Sequence, residues 1–594
     1  MANVKVTING ITVEVPSTAT VLEAAKVAGV DVPRLCFLKG INENSSCRLC
    51  VVEIEGIRTL KNSCTVQVTD GMVVRTNTPR VLKAVKTNLE LIAGNHRFEC
   101  WKCPREHNCE LLRLLRKFNI DNRIGEEPTF GMKEQITQIS EALVIDSSKC
   151  VLCGRCIAAC EKQAGTSVLD YNNRGSKTFV GPALNYPIDG AGCIFCGKCI
   201  QACPTGALKE KDGIELAQAY IDNPEIYTVA QVAPAVRSAF AEEFGLPLGT
   251  NSEAKIFSAL NKLGVDDITD VNFAADVTIM EEGTEFIGRL TKYLNGDKDV
   301  VLPMFTSCSP GWIRFIEQYF PNMLPHLSTT KSPQQIQGAL VKHYYAKKLG
   351  LDPQKVKVIS IMPCSCKKYE ISRPEMESDG LRDVDVVLTT RELARWVKKN
   401  DLSYDDLDAK FVPNSPMAKY TGAAVIFGAT GGVMEAALRT VRDLLEKKDY
   451  KDVDITPLRG VEEDIKEATM TIAGHELTVA VVHGGAHVRE MMRRIKENPG
   501  KYAFVEFMGC TGGCVNGGGQ PIVPSYIADY VDVRKERAKV LYEIDKDAPL
   551  RKSHENPFVI ECYKEFLGEP NSELAHHLLH THYTARKVYE LKRK

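Results

Sequence analysis

The chain has 594 residues, enough for several separately packed cores, and 75 Lys and Arg against 76 Asp and Glu leave a formal charge of −1. That balance excludes a global field that would draw in nucleic acid or an anionic membrane. The first 16 residues alternate like a strand instead of placing a basic region before an apolar one, and the longest uncharged apolar run, residues 420–434, is broken by glycine and too short to span a bilayer. A soluble, cytoplasmic protein with no membrane span is expected.

Cysteine usage carries the strongest signal. There are 21 cysteines, 15 of them before residue 204. Without an export signal they do not read as disulfides, and most stand two or three residues apart, the spacing of metal sites. In residues 1–80, Val4, Val6 and Ile8, then Asn9-Gly10, then Ile11, Val13 and Val15 predict a β-hairpin, and residues 20–28 predict a short helix. Cys36, Cys47, Cys50 and Cys64 follow as C-x10-C-x2-C-x13-C. Four thiolates suit a 2Fe–2S cluster, two per iron, in a β-grasp ferredoxin domain with a lengthened first loop.

Residues 81–136 predict a small domain around His96, Cys100, Cys103 and Cys109, with a connector over residues 111–148. By ligand chemistry a Cys3His set accepts zinc as readily as iron–sulfur. Its position between cluster motifs favours 4Fe–4S, and His107 is the only local rival to His96. Residues 137–214 hold an internal repeat of the bacterial ferredoxin run: Cys150, Cys153, Cys156 and Cys160, then Cys193, Cys196, Cys199 and Cys203 before Pro204. In that architecture the fourth cysteine of each run serves the other cluster. Cys150, Cys153, Cys156 and Cys203 are expected at one 4Fe–4S cluster, and Cys193, Cys196, Cys199 and Cys160 at the other.

Residues 215–594 change character. Apolar runs at 300–305, 356–362 and 502–507 predict buried strands, and residues 391–398, 432–447 and 487–497 predict amphipathic helices, an α/β pattern with parallel strands. A cysteine motif follows each strand: Thr306-Ser307-Cys308-Ser309-Pro310-Gly311-Trp312, Met362-Pro363-Cys364-Ser365-Cys366-Lys367, and Cys510 with Cys514 in a run rich in glycine. Carboxyl ends of parallel strands are where such folds build their sites, and glycines there let backbone come close to a bound group.

These three segments, in order and behind the cluster array, resemble the signature loops of FeFe-hydrogenases over essentially the whole chain. The resemblance implies a multidomain α+β and α/β protein with a two-lobed α/β catalytic domain. Its implied active centre, the H-cluster, is a 4Fe–4S cubane joined through a cysteine sulfur to a diiron unit carrying carbon monoxide, cyanide and a bridging dithiolate amine. The other implied cofactors are one 2Fe–2S and three accessory 4Fe–4S clusters. Carried over by position, Cys364, Cys510 and Cys514 hold the cubane, and Cys514 bridges to the diiron unit. Lys367 donates to one cyanide. Met362, Pro363, Met508 and Phe427 line the diiron pocket, Pro234 and Ala235 contact the second cyanide, and Gln334 lies near the carbon monoxide ligands. The segment Gly428-Ala429-Thr430-Gly431-Gly432 supplies close backbone.

Two departures stand out. Many relatives have serine where Ala235 stands, and the common family form of the first loop has two adjacent cysteines, where this chain has Cys308 and Ser309. Either Ser309 ligates the cubane and Cys308 is the relay thiol, or Cys308 moves into the ligand role; the ungapped alignment on Pro310-Gly311-Trp312 favours Ser309. The implied proton relay is Cys308, Glu282, Ser328, Glu285 and Arg289, and Glu282, Glu285 and Arg289 fall at i, i+3 and i+7, on one helix face. The bland alternative for that stripe is a solvated ion-pair face.

The resemblance implies reversible oxidation of dihydrogen, with protons as the other reactant. Electrons would pass to ferredoxin or to partner subunits, as in the catalytic subunits of NAD(P)-linked or electron-bifurcating complexes, and maturation proteins would supply the diiron unit. No dinucleotide-binding glycine fingerprint follows a strand, so pyridine nucleotides would require a flavin-containing partner. Competing readings are a redox subunit resembling the electron-input subunit of respiratory NADH dehydrogenases, and a hydrogen sensor on the same fold. Cys366 and Cys562 read as packing thiols, and His576, His577, His580 and His582 as part of a helix packed on the catalytic domain.

Overall fold

The computed structural model describes residues 2–121, 137–297 and 299–589; the connector expected over residues 111–148 therefore lies partly outside the described residues. Asn9 (φ 50°) and Gly10 (φ 90°) close the expected hairpin between Asn3–Ile8 and Ile11–Pro16, both in the left-handed conformation this tight turn needs. Asn3–Ile8 also pairs in parallel with Met72–Arg75, which runs antiparallel to Val51–Ile54. The helix Val21–Val27 starts at Thr20 with a reciprocal Thr20–Glu23 capping box and packs Val21, Leu22 and Ala25 onto the sheet.

Part of the expected connector is helix. Glu110–Lys117 begins immediately after Cys109 and packs Leu111, Leu114 and Leu115 against the Val81, Val85 and Leu89 stripe of Pro79–Ala93. At the far end of the connector, Thr137–Ile139 and Leu143–Asp146 pair with each other, and Leu143–Asp146 pairs with Leu208–Glu210, forming a small sheet under the ferredoxin repeat. The repeat is visible in the backbone: Leu152 and Phe195 both have φ 54°, and Gly154 (79°) and Gly197 (72°) follow at the same register.

The large domain holds two sheets. One is wholly parallel, in the spatial order Asp267–Asp270, Tyr227–Val232, Val356–Met362, Val386–Thr389. In the other, Met304–Phe305, Phe504–Met508 and His475–His483 are parallel, and Ile465–Ile472 closes the edge as a hairpin. The strand predicted at 300–305 is only two residues long, since Pro303 has no N–H for a ladder. The helices predicted at 391–398 and 432–447 are observed as Thr390–Lys399 and Gly432–Glu446, and the one predicted at 487–497 starts earlier, as Gly485–Glu497. The 24-residue helix Val271–Leu294 runs between the two halves and packs on Pro333–Leu340 and Gly432–Glu446. Among the described residues no helix is long and apolar enough to cross a membrane.

Candidate active site and its electron relay

The three cysteine loops come from both sheets: Cys364 follows Val356–Met362, while Cys308 and Cys510 follow Met304–Phe305 and Phe504–Met508. Glycine makes their approach possible. A Cβ on Gly517 would overlap the Pro363 carbonyl oxygen, one on Gly519 would sit 2.8 Å from Cys364 N, and one on Gly513 2.6 Å from Thr430 N. The cysteine-bearing glycine run thus lies directly against the Cys364 loop and the 428–432 loop. Gly431 and Gly513 both have φ 90°, a backbone that a Cβ strains.

These loops surround one cavity. Cys308, Ser309, Cys364, Cys510 and Cys514 line it, together with Pro234, Ala235, Gln334, Met362, Pro363, Lys367, Phe427 and Met508. Every cubane ligand and pocket residue expected from the sequence therefore faces one space. The Cys364 and Cys514 thiols are pushed up to about 12 by burial first and neighbouring sulfurs second. Thiols so placed ionise only for a bound cation. A soft sulfur donor set, a glycine cradle and an apolar wall broken by one cation fit an iron–sulfur centre with an attached metal unit.

Lys367 is that cation. Its Nζ donates to Ser332 Oγ (2.7 Å), both Glu370 carboxylate oxygens (2.9 and 3.2 Å) and the Cys308 carbonyl (3.3 Å). Gln334 is fixed at both ends, donating to Glu370 Oε2 (2.9 Å) and accepting from Ser360 Oγ (3.1 Å). Ser309 Oγ accepts from Gly509 N (3.1 Å), on the Cys510 side of the cavity. The Cys308 thiol is pushed well above its ordinary value by burial and then by the Glu282 charge.

Glu282 is fully buried on Val271–Leu294, and its Oε1 accepts from Ser307 N (3.3 Å). Burial, with the nearby Glu285 charge second, pushes its carboxyl up to about 8. Ser328 Oγ donates to Glu285 Oε2 (2.7 Å), and Glu285 pairs with Arg289 at 2.6 Å. Arg289 also donates to the Leu327 carbonyl (2.8 Å). The stripe is therefore not a solvated face: it begins buried beside Cys308 and ends at the half-buried Glu285–Arg289 pair.

The accessory cysteines fall into local groups. Cys150, Cys153, Cys156 and Cys203 line one cavity, whereas Cys160 lies near Cys193, Cys196 and Cys199. Backbone N–H groups point at sulfur at equivalent positions, Leu152 N to Cys150 Sγ and Phe195 N to Cys193 Sγ, both 3.4 Å. In the first domain Cys50 and Cys64 sulfurs lie 3.3 Å apart, and Cys36 hydrogen-bonds Cys47. His96 Nδ1 faces the Lys149 carbonyl at 3.1 Å, so it carries the proton there and Nε2 carries the lone pair. Cys103 lies against Gly206, and Glu110 N donates to Pro204 O (3.1 Å), which brings the His96 domain to the Cys203 end of the repeat.

Contacts between domains link these sites in file. The Asn42 amide donates to the Cys36 carbonyl (2.7 Å) and the Cys153 carbonyl (3.0 Å). At the other end a Cβ on Gly518 would overlap the Cys196 carbonyl, Ser365 Oγ donates to Phe195 O (2.7 Å), and Cys366 Sγ donates to Ile194 O (3.1 Å). Cys366 is thus a buried packing thiol at a domain junction, and Cys562 is fully buried in the core of the first large sheet.

Some site residues carry little signal in the sequence. Glu370 and Ser332 anchor Lys367, and Glu506 accepts from Gly431 N and Met434 N, both at 2.7 Å, which ties the 428–432 loop to the strand leading into Cys510. A single carboxylate inside the apolar strand Phe504–Met508 is the signal for Glu506. Glu370 and Ser332 offer none, because their role depends on where Lys367 points.

Two α/β lobes closing on a thiol-lined cavity, fed by ferredoxin-like domains, define a multicluster iron–sulfur oxidoreductase. Known families match accordingly: "Iron only hydrogenase large subunit, C-terminal domain" over residues 226–518 and "Iron hydrogenase small subunit" over 531–586. The other matches are "2Fe-2S iron-sulfur cluster binding domain" over 1–79, "NADH-ubiquinone oxidoreductase-G iron-sulfur binding region" over 86–123 and "4Fe-4S dicluster domain" over 149–207. The chain is 45% identical to the NADP-reducing hydrogenase subunit HndD of Solidesulfovibrio fructosivorans, over 99% of this chain and 100% of that one. It is 41% identical to iron hydrogenase 1 of Clostridium pasteurianum, over 97% and 99%. A solved variant of the [FeFe]-hydrogenase HydA1 from Chlamydomonas reinhardtii is 37% identical, with TM-score 0.56, covering 64% of this chain and 100% of that one. The chain belongs to the FeFe-hydrogenase family and is an enzyme acting on dihydrogen.

Proposed function

We propose that this chain interconverts dihydrogen with protons and electrons at an H-cluster held by Cys364, Cys510, Cys514 and Ser309. The observation that carries this reading is the convergence of those donors on one cavity beside Cys308 and Glu282. When bound, the clusters supply electron transfer and the diiron unit a Lewis-acidic iron for making or splitting dihydrogen, with its carbon monoxide, cyanide and bridging amine as the resemblance implies. Lys367 holds positive charge toward an anionic ligand, Met362, Met508 and Phe427 exclude water, and Gln334, Pro234, Pro363 and Ala235 shape the wall. Infrared bands of metal-bound carbon monoxide and cyanide in the matured protein, together with a hydrogen assay, test this. Absence of those bands from protein of full iron content would end it.

Cys308, Glu282, Ser328, Glu285 and Arg289 move protons between the cavity and the surface. Glu282 keeps its proton up to about pH 8, so it can donate inward at neutrality. Hydrogen evolution should fall as pH rises through about 8, as the relay loses its donor. The raised value also favours the folded state most below the ordinary carboxyl value of 4.5; that contribution declines progressively from there and is gone above about pH 8. An evolution rate flat through about pH 8 would contradict the assignment.

Ser309 is the fourth cubane ligand, a reading supported by its hydroxyl, which accepts from Gly509 N beside Cys510, and by its place in the cavity lining. A serine oxygen is harder than a thiolate. Ser309→Cys should therefore shift the cubane potential and its Mössbauer parameters while keeping the iron count. Unchanged Mössbauer parameters would return the ligand role to Cys308.

The remaining domains, 1–80, 81–136 and 137–214, hold one 2Fe–2S cluster on Cys36, Cys47, Cys50 and Cys64 and three 4Fe–4S clusters, with residues 215–594 catalytic. His96, Cys100, Cys103 and Cys109 hold a cluster and not zinc, a reading supported by the iron–sulfur family match over 86–123. Asn42 bridges the 2Fe–2S site and the Cys153 site directly, with Asn44 (3.3 Å) and Ser46 (3.4 Å) also donating to the Cys153 carbonyl. Asn42→Leu should slow transfer between them, read as slower appearance of the 2Fe–2S signal after hydrogen is admitted, with iron content unchanged. The likeness to a subunit of an NADP-reducing hydrogenase supports flavin-containing NAD(P)-binding subunits as partners, with ferredoxin as the alternative acceptor.

A further inference from the structure

Arg155 lies in sequence between Cys153 and Cys156, at the start of the helix Arg155–Lys162. Its side chain is fully buried and crosses to the first domain. There Nη2 donates to the Phe37 carbonyl (2.9 Å) and Nε to the Cys36 carbonyl (3.4 Å). The same guanidinium pairs with Glu110, Nη1 to Oε1 at 2.8 Å and Nη2 to Oε2 at 3.1 Å. Glu110 is itself buried and follows Cys109 directly. It also accepts from Ser525 N (3.2 Å) and Ser525 Oγ (2.8 Å) of the catalytic domain. One ion pair thus adjoins cysteines of three accessory sites: Cys36, Cys109, and Cys153 with Cys156. The pair has a direction, since its cation donates into the Cys36 loop while its carboxylate is one residue from Cys109. A buried ion pair often stabilises a fold no better than apolar residues of the same volume, so stability alone gives little reason for one here. Arg155 is always charged, and out of water its field is weakly screened. Burial pushes the Cys153 thiol up to about 12, and the Arg155 charge is the largest pull the other way.

We propose that the buried Arg155–Glu110 pair sets the branching of electrons at the Cys150 cluster, favouring the 2Fe–2S centre over the His96 centre as acceptor. This rests on the reading of those cysteines and His96 as cluster ligands. A cluster gains one negative charge when it is reduced, so a nearby cation raises its potential and a nearby anion lowers it. Arg155 brings its cation to the Cys36 loop and raises the potential of the 2Fe–2S centre. Glu110 brings its carboxylate to Cys109 and lowers the potential of the His96 centre. The two effects widen the gap between the acceptors in the same sense. In the step itself one electron leaves the Cys150 cluster, which is oxidised, and enters the 2Fe–2S cluster, which is reduced. No bond forms or breaks, and no proton or further reactant takes part. Arg155 and Glu110 carry no electron; they are positioning residues that act through charge.

The test is a redox titration of the full matured chain followed by electron paramagnetic resonance, which reads the 2Fe–2S and His96 centres separately. Arg155→Met should lower the 2Fe–2S potential. Glu110→Gln should raise it, and should raise the His96 centre more. Each variant therefore narrows the gap, by about tenfold in the distribution of electrons, or about 59 mV for a one-electron couple. Opposite signs at one centre are the mark of charge, which a loosened domain junction would not produce. Each single variant leaves a buried charge without its partner, so Arg155→Met with Glu110→Leu covers the case in which a single variant fails to fold. The double variant should keep its iron and also narrow the gap. Shifts of the same sign at the 2Fe–2S centre in both single variants overturn the proposal, and so does a wild-type gap in the double variant. A wild-type chain without a 2Fe–2S signal would remove the cluster reading and this inference with it. Full signals with unmoved potentials would remove this inference alone.

Discussion

Replacing Cys308 with alanine should abolish hydrogen turnover while leaving every cluster in place. Cys308 lines the cavity, and Glu282 raises its thiol more than Glu506 or Cys514 does. In the proposed relay it passes a proton between the cavity and Glu282. A positioned acid–base group contributes a factor of about 10² to 10⁴, and the loss should reach the upper end because this thiol is the first group of the proposed relay. Cys308 sits in the Ser309 loop, but its removal leaves Ser309, Cys364, Cys510 and Cys514 untouched. The infrared and iron signatures of the assembled site should therefore persist. Glu282→Gln is the companion experiment: it preserves shape, removes the acid, and should cost about as much. Wild-type evolution by either variant would remove the relay from this face of the cavity.

The second large effect is structural. Gly517→Ala places a methyl group against the Pro363 carbonyl, and Gly518→Ala places one against the Cys196 carbonyl. Neither obstacle is the flexible end of a side chain; both are backbone held by neighbouring strands or helices. Overpacking of this kind costs about 1–3 kcal/mol and more where backbone must move. The two variants should fail differently. Gly517→Ala separates the Cys514 loop from the Cys364 loop and should lose the active-site cubane, seen as a drop in iron and sulfide with the ferredoxin-type signals intact. Gly518→Ala parts the catalytic domain from the ferredoxin repeat. It should retain the cubane but slow its reduction through the Cys196 cluster. Normal iron content in Gly517→Ala would show that the loops have room this packing denies them.

Much of the protein is legible in its sequence. The ferredoxin repeat declares itself through short spacings, and the structure brings Cys203 beside Cys150 and Cys160 beside Cys193. The Asn9-Gly10 hairpin and the Gly432–Glu446 helix are equally plain, because turn chemistry and a helical apolar stripe are local. Boundaries fail where a local rule meets a longer-range one. The apolar run at 300–305 yields two strand residues, because sheet pairing begins only after Pro303. The strands Tyr227–Val232 and Val386–Thr389 do not announce themselves, since a short apolar run does not say whether it lies in a sheet or in a buried helix.

The chain by itself determined which chemistry is available: the cluster ligands, the three thiol loops and the order in which they occur, because ligand type and close spacing are written residue by residue. Only the tertiary structure decided which of them meet. Asn42 reaches Cys153 across 111 residues, Gly517 seats under Pro363, and His580 finds Glu281 across 299. Burial decided the rest, since a carboxyl such as Glu282 becomes a proton donor at neutral pH only when surrounding elements remove it from water. Contacts of that range depend on how sheets and helices pack against one another, and no local spacing encodes them.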